Sequence, residues 1–368
     1  DPLHAAIQWR LLFPALGRVL PLPTPWFFAL ADAGCLLTLV YLITLLRRGA
    51  AGWPTCALVT IALGAASWFF TSTGWLGYFD AWFALGLLIV AFARDVRWVW
   101  AACLWAPWID ERFVLAGSLA LFCRFIAHRA DLPVAPFSWR RDVFVPGALL
   151  AAFAAVRLGV LSRASSPGAT VSGYLSARDY LAAPAGHIAL GIWEGLRVGW
   201  FMVAAGLLSL WRSTTPAQAA RGAVSLRPLA LLLAFAVLAL VAIGLATAQD
   251  YSRSMTMVLP AAVLGALLVV RDRAPRPRIA FALCAALAVL LPAHHVMSDR
   301  INPIYYLYHE LAALRVPPRA AMPELYELRA IHEMERGENA QAETDLTLAI
   351  KLAANPAAPA KQRGILVA

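Results

Sequence analysis

The stretch "APWIDERFVL", residues 106–115, sets Asp110, Glu111 and Arg112 side by side in one of the most apolar parts of the chain. An ionisable group at membrane depth costs about 2.5–3.5 kcal/mol on insertion scales, so it lines a cavity or finds a partner. Two carboxylates beside a guanidinium can do chemistry: an acid can act as general base or metal ligand, and the arginine can hold a phosphate. The same triplet can also do no more than cap and pair at a junction of two helices. Asp80, in "STGWLGYFDAWFAL", follows a turn carrying Gly74 and Gly77 and is either an N-cap or a further site acid. Asp250 and Arg253, in "AQDYSRSMTMVLP", lie three apart and share one helix face, as a cap with an ion pair or as site residues. Glu194 and Arg197 have the same spacing inside an apolar run, where neutralising each other is their most economical use.

Composition fixes where this chemistry must take place. The chain has 368 residues, 61% hydrophobic and 14% charged, with a mean hydropathy of +0.68. A soluble core does not hide that much apolar surface, and apolar runs separated by arginine-rich connections read as membrane-spanning helices. The net charge of +10 comes from arginines that punctuate these runs and form no single patch, which marks membrane orientation and argues against nucleic acid. Cys35, Cys56, Cys103, Cys123 and Cys284 all fall within apolar runs, where membrane-embedded packing is their simplest role. His294 and His295 are adjacent at the outer end of the last run, where solvation at the interface is a simpler role than metal binding. The chain contains no phosphate loop, no HExxH, no GxSxG and no Cys/His spacing suited to a metal, which excludes soluble nucleotide chemistry.

The expected fold is all-α and polytopic. Spans are predicted at 24–46, 54–71, 75–93, 143–161, 188–211, 227–248, 254–270 and 279–297. The stretch 97–123 is either one helix or two short helices of about 12 residues meeting at the triplet. The arginines separate the two. A hairpin keeps Arg94 and Arg97 on the same side as Arg124, Arg129, Arg140 and Arg141, as the positive-inside rule requires, whereas a single crossing breaks the pattern for every later loop. This parity predicts about ten membrane segments with both chain ends outside, and it gathers Asp80, the triplet and Asp250 with Arg253 on the outer face. Residues 1–23 read as an interfacial segment before a transmembrane domain over 24–298, and the loop 162–187 as a lid over an outer cavity.

Residues 299–368 are polar and charged, a small soluble helical tail. Tyr326, Ala330, Gly337, Ala342 and Ala349 match the spacing of one tetratricopeptide repeat, so the tail resembles a tetratricopeptide-like helical pair. One repeat cannot bury its own face, so the pair caps the membrane domain or docks a protein partner.

With these pieces in place the chain resembles the GT-C superfamily of polytopic glycosyltransferases, particularly its uncharacterised bacterial and archaeal members. The likeness rests on "WRLLFPAL" with Arg10 and Pro14, "GYFD" with Asp80, "DER" at Asp110, Glu111 and Arg112, and "DYSR" with Asp250 and Arg253, over roughly residues 1–260. The resemblance implies sugar transfer from a polyprenyl-phosphate donor at the outer face of a bacterial cytoplasmic membrane, and the loop parity puts the tail on that outer, periplasmic side. It implies Asp110, Glu111 or Asp80 as catalytic acids, Arg112, Arg253 and Arg10 as donor phosphate ligands, Asp250 as support, and a divalent ion as an optional aid. Lipid-linked sugar and membrane lipids would be its partners. The other expectation is a non-catalytic accessory or scaffold subunit of a larger membrane complex, held through residues 299–368.

Overall fold

A computed structural model describes residues 10–21, 24–74, 78–134, 137–161, 183–212, 226–272, 277–298, 301–304, 323–335 and 337–352. The chain is mostly helical and divides into two compact units, Asp1–Asn302 and Pro303–Ala368. Within the first unit the helices run α1 (Leu12–Val19), α2 (Thr24–Arg48), α3 (Trp53–Gly64), α4 (Ser67–Gly74), α5 (Asp80–Phe92), α6 (Val96–Trp105), α7 (Phe113–Arg129) and α8 (Val145–Leu161). They continue with α9 (Ala185–Leu196), α10 (Gly199–Arg212), α11 (Arg227–Thr247), α12 (Tyr251–Arg271, with a tighter turn at Met255–Val258) and α13 (Pro277–Leu290). A two-stranded sheet follows, β1 (His294–Val296) with β2 (Ile301–Pro303).

Among the described residues, three helices are long and apolar enough to cross a membrane: Ala29–Arg48 within α2, α11 and α12. The pairs α3/α4 and α9/α10 bend by 65° and 74°, and counting each pair as one span brings the total to five. The expectation of ten membrane segments is therefore not supported. The runs 54–71 and 188–211 are continuous in hydropathy but broken in backbone, at Ala65–Ala66 and at Arg197, whose φ is +49°, so each is one span only if its bent pair is counted together, and the rest of the shortfall lies in helices too short to cross. The run 75–93 contracts to the 13 residues of α5. The run 279–297 ends as helix at Leu290 and re-emerges as β1, so His294 and His295 sit on a strand.

The stretch 97–123 folds as two helices that turn back on each other. The end of α5 and the start of α6 meet the far end of α7, where Arg124 donates to the Ala93 carbonyl at 2.6 Å and Arg94 donates to that of Pro133 at 3.3 Å. The triplet is thus the apex between a 10-residue α6 and a 17-residue α7, the latter longer than expected.

Helix α12 is the axis of the unit, buried along nearly its whole length, whereas α11 and α13 each leave a row of large apolar side chains such as Phe235, Leu238, Leu283 and Leu290 exposed. Where lipid is the solvent, no hydrophobic force drives helices together, and close backbone approach through small residues takes its place. Gly206 and Gly265 provide it between α10 and α12. A Cβ on Gly265 would lie 1.9 Å from the Met202 carbonyl oxygen, and one on Gly206 would lie 2.5 Å from the Cα of Gly265.

In the second unit α14 (Pro323–Glu335) and α15 (Asn339–Leu352) form a helix-turn-helix around Ala330, Ala342, Leu346 and Ala349, with Gly337 in the left-handed region at φ +78°. Arg329 pairs with Asp345 across the two helices.

Replacing Gly265 by Val forces α10 and α12 apart and should cost at least about 3 kcal/mol. The check is thermal unfolding of the purified chain in detergent, with Gly147→Ala, whose new Cβ meets nothing within 4 Å, as the neutral control.

Candidate functional site

The sequence-predicted residues converge at one end of the first unit. Asp80 opens α5 but makes no capping bond. Its carboxylate faces Arg253 instead, with Nε to Oδ2 at 2.7 Å and the second fork nitrogen to Oδ1 at 2.9 Å, a bidentate pair in a buried setting. Thr71 of α4 donates to Oδ2 at 2.7 Å, and Arg112 approaches Oδ1 at 3.4 Å. Asp110 accepts from the Arg112 backbone at 3.0 Å and from its guanidinium at 2.8 and 2.6 Å, so it both closes the apex turn and pairs with the neighbouring cation. Arg112 also reaches Ser254 at 3.2 Å, tying the apex to α12.

Asp250 pairs with Arg253 at 2.8 Å and lies 3.3 Å from His295, which in turn meets Ser252 at 3.2 Å. The Ser252 hydroxyl accepts from the Val296 backbone at 3.0 Å, and this bond fixes β1 against the start of α12. Room for that turn comes from α9, where a Cβ on Gly191 or Gly195 would lie 2.4 and 2.1 Å from the side chains of Tyr251 and Met255. The Arg253 guanidinium stacks on Tyr78, 3.9 Å from the ring centroid. Phe13 of α1 stacks on Phe79 at 3.9 Å, which holds Arg10 at the edge of the cluster.

At that edge the contacts loosen. Arg10 is 3.5 Å from Asp110 and 3.9 Å from Glu111, and Arg157 of α8 is 3.8 Å from Glu111. The side chains of Glu111, Arg10 and Arg157 are 23%, 23% and 24% exposed, against 1–3% for Asp80, Asp110 and Arg253. Four carboxylates thus face four guanidinium groups, tightly matched inside and loosely at the rim.

Burial alone would raise the Asp110 carboxyl, but the guanidinium groups of Arg112, Arg10 and Arg253 outweigh it and hold the group well below the usual carboxylate range. Asp250 is likewise penalised by burial, yet His295 and Arg253 hold it well below that range. Carboxylates so stabilised have little affinity for a proton and make poor general bases.

Each interior acid already has guanidinium partners. Among the described residues no three His, Cys, Asp or Glu side chains are placed to hold a metal ion, so the donor set does not fit a divalent cation.

Two features were missed in the sequence. Arg157, a lone cation in the run 143–161, should have been flagged by the same cost of a charge in apolar surroundings that singled out the triplet. His295 binds Asp250, and His294 meets Glu194 at 3.1 Å, because alternate residues of a strand face opposite ways. Glu194 and Arg197 stand apart from the cluster. Arg197 lies 3.5 Å from Glu194 and donates to the Leu291 carbonyl at 2.6 Å, closing the end of α13. Most of the expected lid, residues 162–182, lies outside the described residues, as do residues 1–9. Comparison with family models, curated proteins and solved structures found no match to this chain.

Two measurements test this network. Arg253→Met strands Asp80 and Asp250 without their main partner and should destabilise the fold by about 3–5 kcal/mol in thermal unfolding. The second is pH dependence. Because the folded-state value of Asp110 is depressed, its contribution to stability is complete above the unfolded-state value of about 3.9 and is lost as pH falls through the lower folded value. Wild-type stability should therefore drop below about pH 4, and Asp110→Asn should flatten that drop while lowering stability at pH 7.

Proposed function

We propose that this chain is a membrane glycosyltransferase that takes its sugar from a polyprenyl-phosphate donor at the outer face of a bacterial cytoplasmic membrane. The supporting observation is the rim of the ion cluster, where Glu111, partly exposed, sits between Arg10 and Arg157 at 3.9 and 3.8 Å with no tight bond to either. A donor phosphate offers two cations a better partner than a distant carboxylate does, and guanidinium–phosphate pairs form short charge-assisted bonds. Its arrival would draw Arg10 and Arg157 away and leave Glu111 free to accept a proton.

The reaction then follows inverting substitution. Glu111 removes the proton from the acceptor hydroxyl as that oxygen bonds to the anomeric carbon. The bond from that carbon to the phosphate oxygen breaks, and its electron pair leaves on the phosphate, where Arg10 and Arg157 stabilise the developing charge. In this reading Asp110, Asp80 and Asp250 hold Arg112 and Arg253 in place and do not take the proton themselves. Arg112, 13% exposed, borders the same rim and can add a bond to the phosphate.

The second reading, a non-catalytic accessory subunit, is favoured by the α14–α15 pair, which resembles one tetratricopeptide-like repeat and whose buried apolar residues, among those described, are Ala330, Ala342, Leu346 and Ala349. Under it the cluster is purely structural, and residues 299–368, on the periplasmic side, carry the function by docking a protein partner.

The two readings part on Glu111. Glu111→Gln should lower turnover of a lipid-linked sugar by about 10²–10⁴-fold with unfolding temperature unchanged, and Arg157→Gln should chiefly raise KM for the donor. Loss of a co-purifying partner on deleting residues 299–368, with glycan products unaffected by Glu111→Gln, would establish the subunit instead.

A further inference from the structure

Helices α5, α7 and α12 all begin at the ion cluster and end together at the opposite end of the first unit, near Ala93, Arg129 and Arg271. That end is stitched by a second buried ion pair. Arg124, fully buried, donates to Asp142 at 2.6 Å and to the Ala93 carbonyl at 2.6 Å, and Arg271 donates to the Ala130 carbonyl at 2.6 Å. Trp100 of α6 donates to the Arg141 carbonyl at 2.9 Å, and Asp142 accepts from the Ser138 backbone at 2.7 Å. Segments 93–100, 128–134 and 137–144 are thereby held as one surface.

That surface is basic and aromatic together. Arg94, Arg97, Arg129, Arg140 and Arg141 are all exposed on it. Among the described residues the acids at this end are Asp95, half-buried and bonded to Arg97 at 2.6 Å, Asp131, exposed, and Asp272, exposed and bonded to Arg271 at 2.6 Å; Asp142 is buried against Arg124. Trp98, Trp139 and Phe144 stand among the arginines at 63%, 60% and 69% exposure, and Trp139 is braced from behind by Phe125 and Phe137 at 5.8 and 5.3 Å.

We propose that this face binds the headgroups of anionic phospholipids. Clusters of four to eight arginines or lysines beside a membrane attract acidic lipids, and aromatic rings settle at the headgroup level. A soluble anion would pair with the arginines and leave Trp98, Trp139 and Phe144 in water. A phospholipid satisfies both, its phosphate meeting the guanidinium groups and its upper acyl chain meeting the rings. The partner is thus a lipid of the leaflet opposite the candidate site, and this inference does not depend on sugar transfer.

The test uses the full chain in nanodiscs of phosphatidylcholine alone or of two parts phosphatidylcholine to one part phosphatidylglycerol. A ligand that binds only the folded state raises its unfolding temperature, so the anionic discs should add about 2–4 °C. Arg129→Gln/Arg140→Gln should lose most of that shift, Arg129→Lys/Arg140→Lys should keep it, and Arg18→Gln, which removes a charge at the other end, should keep it as well. Equal unfolding temperatures in the two kinds of disc would overturn the proposal, as would a full shift in the Gln double variant. An equal shift from inorganic phosphate added to neutral discs would also overturn it, by showing a site for free anions.

Discussion

The bidentate bond between Arg253 and Asp80 is the constraint on which the first unit depends. The residues are 173 positions apart, and each is buried, so neither can find water if the other moves. A buried ion pair adds little net stability over an apolar core of the same shape, but losing one partner leaves an uncompensated charge at high cost. That asymmetry makes the pair a device for register. Helix α12 can enter the bundle at one depth only, with Arg253 level with the start of α5, and the apex of α6–α7 must then meet the same level through Arg112 and Asp110. Thr71, donating to Asp80, and Ser254, accepting from Arg112, add hydroxyl bonds to the charged groups that distinguish this arrangement from one shifted by a helical turn.

A charged centre of this kind demands tight packing around it, and the glycines supply it. Gly191 and Gly195 let α9 lie directly on Tyr251 and Met255, and Gly206 with Gly265 brings α10 onto α12 farther along. The bend between α9 and α10 belongs to the same economy. Bending at Arg197 leaves that side chain free to close the end of α13, so the irregular backbone is satisfied inside protein and not against lipid.

How much of this was legible follows from what each signal measures. The grouping of Asp80, the triplet and Asp250 with Arg253 was expected from a parity of about ten crossings, a count the fold does not support; what carries over is the simpler signal that charges set in apolar runs must find one another, as the ion pairs show. The number of crossings could not be read, because hydropathy counts apolar residues and does not say how many of them are helix: the runs 75–93 and 279–297 give helices of only 13 and 14 residues. The pairing within the cluster was equally hidden: Asp250 and Arg253 are neighbours in sequence, but nothing local says that Arg253 gives its fork to Asp80. Arg157 was obscured by its surroundings, since one arginine in a 17-residue helix resembles a snorkelling side chain until Glu111 is placed beside it.

The difference between the interior and the rim of the cluster bears on what it is for. A network that served only to fix register would gain most from short bonds throughout, and the interior has them at 2.6–2.9 Å. At the rim the ion-pair distances open to 3.5–3.9 Å, and Arg10 Nε and Glu111 Oε2 lie beyond hydrogen-bond distance of any partner among the described residues. Two cations and an acid on separate elements, α8, the segment before α1 and the α6–α7 apex, are thus brought close without being bonded. Helix packing alone does not require that, since α1 is already anchored by Phe13 on Phe79. An arrangement rigid within and under-bonded at its accessible edge retains interaction energy for a ligand, because a phosphate entering there displaces only weak contacts while the interior carboxylates keep the surrounding arginines from collapsing onto it.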